Sequence, residues 1–261
     1  MVRIILGLAF LAALGIPTIL YAPSWIVFLA GLLLAALFSL FVNEYVPTVV
    51  EAVVGDGPIR AVVGADAAFY SDGWSLLLPH NLTEEDHPPP EVTSADVQSW
   101  LRDRGAYDAD TSHLQLALES RSRDVVLITG ICAHIIRREP LLNGALVTSP
   151  SAGENVITAL VFDLDTRDPQ AKTQEGGVYF GDYYISLSHR EAHVFRIAAH
   201  VERDAVAWEI DVHYTLRGKN RILRLNNDGE PFRTAPSSGA VERYHWSWWD
   251  PPPRLVPAET E

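Results

Sequence analysis

The chain has one cysteine, Cys132, and two lysines, Lys172 and Lys219, among its 261 residues. A single thiol excludes an intrachain disulfide framework and suits a reducing compartment. Two lysines among 20 basic residues leave arginine to carry nearly all the positive charge. With the high alanine content, this bias points to a GC-rich bacterial genome. Positive charge is itself in deficit, with 33 acidic residues and a net charge of −13. The surplus acid lies almost entirely after residue 43, which reads against nucleic acid as a partner and against docking on anionic lipid. The chain also lacks a P-loop, a GxGxxG turn and a GxSxG elbow, so no cofactor is expected.

Residues 4–42 lack charge altogether. Two apolar runs, Ile4 to Leu20 and Trp25 to Val42, are separated only by Tyr21-Ala22-Pro23-Ser24. As helices they would reach roughly 25–27 Å, close to the ~30 Å hydrocarbon core. Tyr21, Trp25 and Tyr45 fall where the interfaces would be. Pro23 and Ser24 suit a break followed by a helix N-terminus. The expectation is a two-helix transmembrane hairpin over 1–43, with the lipid bilayer as partner through residues 4–42. A cleaved signal peptide and a re-entrant hairpin are the rival readings. The length of the first run, the second run behind it and the want of a small-x-small site speak against the signal peptide. A hairpin puts both ends on one side. Arg3 is the only cation before the first run, so the positive-inside rule places both ends in the cytoplasm. The protein is expected to be integral to the cell membrane.

After a connector over 44–58, the residues read as strands. Residues 59–78 give two extended pieces around Ser71-Asp72-Gly73, and 79–92, with Pro88 to Pro90, reads as a solvated loop. Val97, Trp100, Leu101 and Arg104 have helical spacing, and Gly105 can terminate a helix over 94–104. Residues 59–112 are expected to form a lobe packed on the remainder. From 113 to 249 the β-branched and aromatic runs predict seven or eight strands. They are His113 to Glu119, Asp124 to Arg137, Asn155 to Leu164, Val178 to Leu187, Ala192 to Val201, Ala205 to Leu216, Arg221 to Leu225 and a piece near Phe232. Their pattern resembles immunoglobulin-like sandwiches, without the Cys-Trp-Cys signature. The fold class expected is an all-β soluble domain, an antiparallel β-sandwich with one short helix. Residues 250–261 read as a disordered tail.

One register is testable. With Arg203-Asp204 as a two-residue turn, Val201 faces Val206, Ala199 faces Trp208, Ile197 faces Ile210 and Phe195 faces Val212. Arg196 then faces Asp211 on the outer side, and Trp208 belongs at the centre of the core. Val125 to Ile136 is apolar on both parities, which predicts a central strand covered on both faces, with the helix or residues 59–78 as the second cover.

Four groups of residues invite a chemical reading. Leu160 to Thr166 contains Asp163 and Asp165 and resembles the aspartate-nucleophile motif of haloacid dehalogenase-like phosphatases. It departs from that pattern at Arg167, where the family has threonine, and its flanks read as β where the family alternates strands with helices. His189, Glu191 and His193 stand at alternate positions, and on an extended strand they would share a face able to bind a metal such as zinc. Cys132 and His134 are also two apart on a strand, although the thiol lies in the most apolar stretch. The tail from Tyr244 through Trp246, Trp248 and Trp249 is an interaction candidate, as a last strand, a membrane-interface rest or a partner surface. The expected function is a membrane-anchored, non-enzymatic interaction or accessory role, with a protein partner or self-association. The alternative is a membrane-tethered, metal-dependent hydrolase using His189, Glu191 and His193.

Overall fold

The computed structural model describes residues 57–65, 73–89, 91–93, 96–149, 160–181, 183–247 and 253–258. The apolar runs at 4–42 lie outside the described residues. Among those described, no helix is long and apolar enough to cross a membrane.

The described chain is mostly β-sheet, with one short α-helix. Its elements are β1 (Ile59–Ala65), β2 (Trp74–Leu77), α1 (Val97–Arg102), β3 (Tyr107–Ala109), β4 (Thr111–Ser120), β5 (Val126–Glu139), β6 (Ala145–Ser149), β7 (Leu160–Asp163), β8 (Ile185–Leu187), β9 (Ala192–His200), β10 (Ala205–Leu216), β11 (Lys219–Leu225), β12 (Phe232–Ala235), β13 (Glu242–Ser247) and β14 (Arg254–Pro257). A four-stranded sheet runs β1-β4-β9-β7. A larger sheet runs β14-β13-β6-β2-β3-β12-β10-β5-β8, with β11 also on β10. Most pairings are antiparallel, but β7–β9, β3–β12 and β6–β13 are parallel. The expectation of a wholly antiparallel sheet is corrected there.

Strict alternation builds the core. Along β4, Leu114, Leu116 and Leu118 are buried while Gln115 is exposed. Phe195, Ile197 and Ala199 of β9 do the same, and Val206, Trp208, Ile210 and Val212 of β10 meet them in one cluster with Phe162. Each such side chain contributes about 1.5–3 kcal/mol when fully buried. Trp208 is at the centre as expected, edge-on to Phe162 at 6.1 Å and 5.1 Å from Phe232.

The pairing expected around Arg203-Asp204 does not form. β9 pairs with β4 and β7, whereas β10 pairs with β5, β11 and β12, so the chain changes sheet between them. The apolar sets predicted to be side by side instead face each other across the core. Alternation reports which face is buried and is silent on whether the partner is beside it or opposite. Asp211 accordingly meets Arg224 of β11, with nitrogen–oxygen distances of 2.7 and 2.8 Å, and not Arg196.

The second cover of β5 also differs. The cover on both faces expected from Val125 to Ile136 holds at Ile131–Ala133, where all three side chains are buried, but Val125, Thr129 and Ile136 are exposed, and residues 169–171 run along the strand's edge. The Ala133 amide donates to the Pro169 carbonyl at 2.9 Å, and the Ala171 amide to the Ile131 carbonyl at 3.0 Å. Helix α1 packs elsewhere. Val97 and Leu101 join Trp74, Leu76, Val147 and Trp246 in a second core under β2, β6 and β13. Residues from 59 to 112 are thus distributed through both sheets, with β1 in one and β2 and β3 in the other.

The stretch after β2 is largely exposed, as expected of a solvated loop, but it is tied down at Asp86. Asp86 is buried, and its Oδ2 accepts from the Thr83 amide at 2.9 Å and the Thr83 hydroxyl at 2.7 Å, with His80 at 3.1 Å. Burial raises this carboxyl, but the Thr83 and His80 contacts outweigh it and hold it below its ordinary value. Trp100 is half-buried as a packing residue, with the Arg104 guanidinium 3.5 Å from its ring centroid. Arg254–Pro257, expected to be disordered, forms β14 on β13.

Candidate functional site

Two clefts flank one arginine. Arg233 projects from β12 across Gly105, whose φ of +83° ends the turn after α1. The Arg233 guanidinium passes 3.8 Å from where a Cβ at Gly105 would stand, an ordinary contact, so it is the positive φ and not the space that calls for glycine. On one side is a cavity of about 550 Å³ lined by Arg102, Asp103, Asp108, Asp228, Glu230 and Arg233 among others. On the other is one of about 510 Å³ lined by Tyr107, Arg137, Glu139, Leu141, Asn143 and Arg233 among others. Both fall in the size range of ligand sites.

Hydrogen bonds fix the walls. Arg102 donates to Asp108 Oδ1 at 2.6 Å, and the Ser112 hydroxyl donates to Asp108 Oδ2 at 2.7 Å. Ser112 Oγ lies 2.7 Å from Thr234 Oγ1, which accepts the Trp208 indole N–H at 2.9 Å. The donor directions are forced. Indole can only donate and an ionised carboxylate can only accept, so the chain runs Trp208 to Thr234 to Ser112 to Asp108. In the second cleft the Tyr107 hydroxyl donates to Glu139 at 2.6 Å, and Arg137 pairs with Glu139 at 3.1 Å. Burial and the Glu139 carboxylate both push the Tyr107 phenol up.

A second convergence lies on the outer face of the large sheet. Cys132 is in register with Asp211, which is in register with Arg224. His213 reaches Cys132 with Nε2 3.5 Å from Sγ, over Gly130 on the neighbouring strand. His134 Nδ1 is 3.9 Å from Asp211 Oδ2. The histidine facing the thiol is therefore His213, not the His134 that sequence spacing pairs with it. Burial, then the Asp211 and Asp168 carboxylates, push the Cys132 thiol up to about 11. A nucleophilic cysteine needs the reverse shift. Arg224 hydrogen bonds hold the Asp211 carboxyl below its ordinary value despite burial.

The residues proposed as metal ligands are engaged separately. His189 and Arg190 form a turn, with Arg190 at φ +63°, so the extended geometry expected there does not occur. His189 Nδ1 meets the Ser122 carbonyl at 3.1 Å, Glu191 accepts the Ser188 amide at 2.8 Å, and the His193 ring lies tilted against Phe195 with centroids 4.6 Å apart. Among the described residues, no group of three or more His, Cys, Asp or Glu side chains is placed to hold a metal ion. Asp163 and Asp165 are used by the chain itself. Asp165 Oδ2 accepts the Glu202 amide at 2.8 Å, and Arg203 donates to the Asp165 carbonyl at 2.5 Å, which pins the crossover between sheets.

In the aromatic tail, Trp246 is buried and Tyr244 half-buried on the same face of β13, between β6 and β14. Trp248 and Trp249 lie outside the described residues. The clefts had no signal in the sequence, because their walls come from segments over 100 residues apart. No family model matches this chain, and no curated protein matches it either.

Proposed function

We propose that this chain is a membrane-anchored, non-enzymatic accessory protein that binds a partner through an immunoglobulin-like β domain. The observation that carries the binding role is the pair of clefts sharing Gly105 and Arg233. Their walls are held by ion pairs and hydrogen bonds, which is the preorganisation a binding surface requires. Support for the immunoglobulin-like reading is the pair of facing sheets over one core, although the parallel pairings set the domain apart from that pattern. Support for the anchor is the charge-free sequence of residues 4–42. Arg3 and the lone cysteine favour a cytoplasmic domain.

The test is photocrosslinking from Asn143 and Asp228, one in each cleft, in the full chain in native membranes. Discrete adducts at both positions, weakened by Arg233→Glu and absent from a probe at Glu175, are expected. A clean lane at both cleft positions, with the protein present and membrane-bound, would defeat the binding role.

A further inference from the structure

The chain enters the described domain at Pro58, at one end of the two sheets. Ile59 is in register with Ser120, Glu119 with Ala192, Val126 with Leu187 and Leu216, and Leu216 with Lys219. Loops 121–125, 188–191 and 217–218 therefore share this end. Hydrogen bonds join them directly. The Arg121 amide donates to the Pro58 carbonyl at 2.9 Å, and the Arg190 amide to the Ser120 carbonyl at 2.7 Å. His189 meets the Ser122 carbonyl at 3.1 Å, and Arg217 pairs with Asp124 at 2.5 Å.

These loops are basic in a chain that is acidic overall. Arg121, Arg123, Arg190 and Arg217 in the loops, with Lys219 and Arg221 at the start of β11, stand against Asp124 and Glu191, while Arg60 and Glu119 beside them pair with each other. Asp124 is already neutralised by Arg217, and Glu191 is turned onto the Ser188 amide. Arg123, Arg190, Lys219 and Arg221 are exposed. Two of the arginines occupy turn tips in the left-handed region, Arg190 at φ +63° and Arg217 at φ +50°. Glycine or asparagine would adopt that backbone at lower cost, so a long cationic side chain is held where a small residue fits best. The opposite end, around the crossover from β9 to β10, carries Asp163, Asp165, Asp168, Glu202 and Asp204 against Arg138, Arg167 and Arg203, so the excess of cations is confined to the entry end.

We propose that the end of the domain bearing Arg121, Arg123, Arg190, Lys219 and Arg221 docks on anionic lipid headgroups. The inference rests on the membrane-anchored reading of residues 4–42 for its bilayer. The connector at 44–58 can span at most about 50 Å, which keeps the entry end within reach of the surface. Net charge does not oppose the docking. At physiological salt a field is screened within about 8 Å, so the surface feels the end that faces it and not the chain's total. Each cation near an anionic leaflet favours the docked state by roughly five-fold.

The full chain reconstituted in vesicles tests this. The buried, protonated Cys132 leaves Asn220→Cys as the labelling site beside Lys219, with Glu202→Cys as the label at the far end. Energy transfer to a lipid-borne acceptor should be higher from residue 220 in anionic vesicles than in zwitterionic ones. It should fall in about 0.5 M NaCl, where the screening length is about 4 Å. Arg123→Gln with Arg190→Gln should lower the docked-to-undocked ratio by roughly 30-fold. The label at 202 should report neither change. Transfer from 220 that ignores lipid charge and salt overturns the proposal, and needs no variant to be folded. Capture of homopolymeric RNA by this end in zwitterionic vesicles, lost in the double variant, would also overturn it by reassigning the cations. Flotation with zwitterionic vesicles at high salt reads the anchor independently. A chain that fails to float there but binds anionic vesicles with the stated salt dependence loses its anchor and keeps its basic docking end.

Discussion

Replacing Thr234 by valine should destabilise the domain although it preserves the side chain's shape. Thr234 is fully buried, and its hydroxyl is the acceptor for the Trp208 indole N–H at 2.9 Å. It passes its own proton to Ser112 Oγ at 2.7 Å, and Ser112 passes its proton to Asp108. In Thr234→Val the indole N–H loses its partner in the middle of the core. Trp208 has no exposed surface, so water cannot replace the lost acceptor. An orphaned buried donor costs about 1–3 kcal/mol, and Ser112 loses a donor at the same time. A loss of about 2–3 kcal/mol is expected. Thr234→Ser keeps the hydroxyl and removes one methyl, for about 1 kcal/mol.

The measurement is the urea midpoint of the full chain in detergent, followed by near-ultraviolet circular dichroism. A double-mutant cycle with Trp208→Phe separates the hydrogen bond from the packing change, and should return a coupling of about 1–2 kcal/mol. Thr234→Val no less stable than Thr234→Ser, or a cycle that closes to zero, would refute the directed chain of hydrogen bonds.

Two further outcomes follow from the outer face of the large sheet. The Asp211 carboxyl is held below its ordinary value by Arg224, so its ion pair stabilises the fold above the unfolded value of about 3.9. That stability is lost as pH falls through the lower folded value. Asp211→Asn should therefore be less stable than the parent at neutral pH and should lose that part of the acid sensitivity below about pH 4. A neutral-to-acid stability difference of the same size in both proteins would contradict it. Cys132, with its thiol pushed up to about 11, should resist maleimide at pH 8 in the folded chain and label stoichiometrically in urea. Rapid labelling of the native protein would show that the thiol is neither shielded nor protonated.

Several strand positions were legible in the sequence because burial on one face leaves a period of two, whereas Ala145–Ser149 was not read and the strand expected over Val178 to Leu187 is only Ile185–Leu187. Ala205 to Leu216 matches β10 at both ends, and Trp208 is as central as its pattern demands. Pairing was not legible. Phe195 with Val212 and Ile197 with Ile210 look identical whether the strands are neighbours in one sheet or opposed across two. The crossover is decided by contacts distant in sequence, Asp165 holding the Glu202 amide and Arg203 holding the Asp165 carbonyl. The burial of Asp86 within an otherwise exposed loop was not legible for a related reason. Acids and prolines between strands suggest solvent, and only the fold places Thr83 and His80 around that carboxylate.

The same limit governs the sites. Sequence spacing proposes partners two or four residues apart, whereas in a sheet the nearest side chain usually belongs to another strand. Cys132 is two residues from His134 but faces His213 across the ladder. His189, Glu191 and His193 are regularly spaced, yet a left-handed Arg190 between them rotates the turn and gives each a separate partner. Composition suffers a parallel loss. A net charge of −13 averages over a domain whose entry end is basic and whose acids lie elsewhere in the chain. An argument from the total against an anionic surface is sound only when charge is evenly spread. Here the strand ladder collects arginines from positions 121, 123, 190 and 217 into loops that touch one another, so the sign a partner meets depends on which end it approaches.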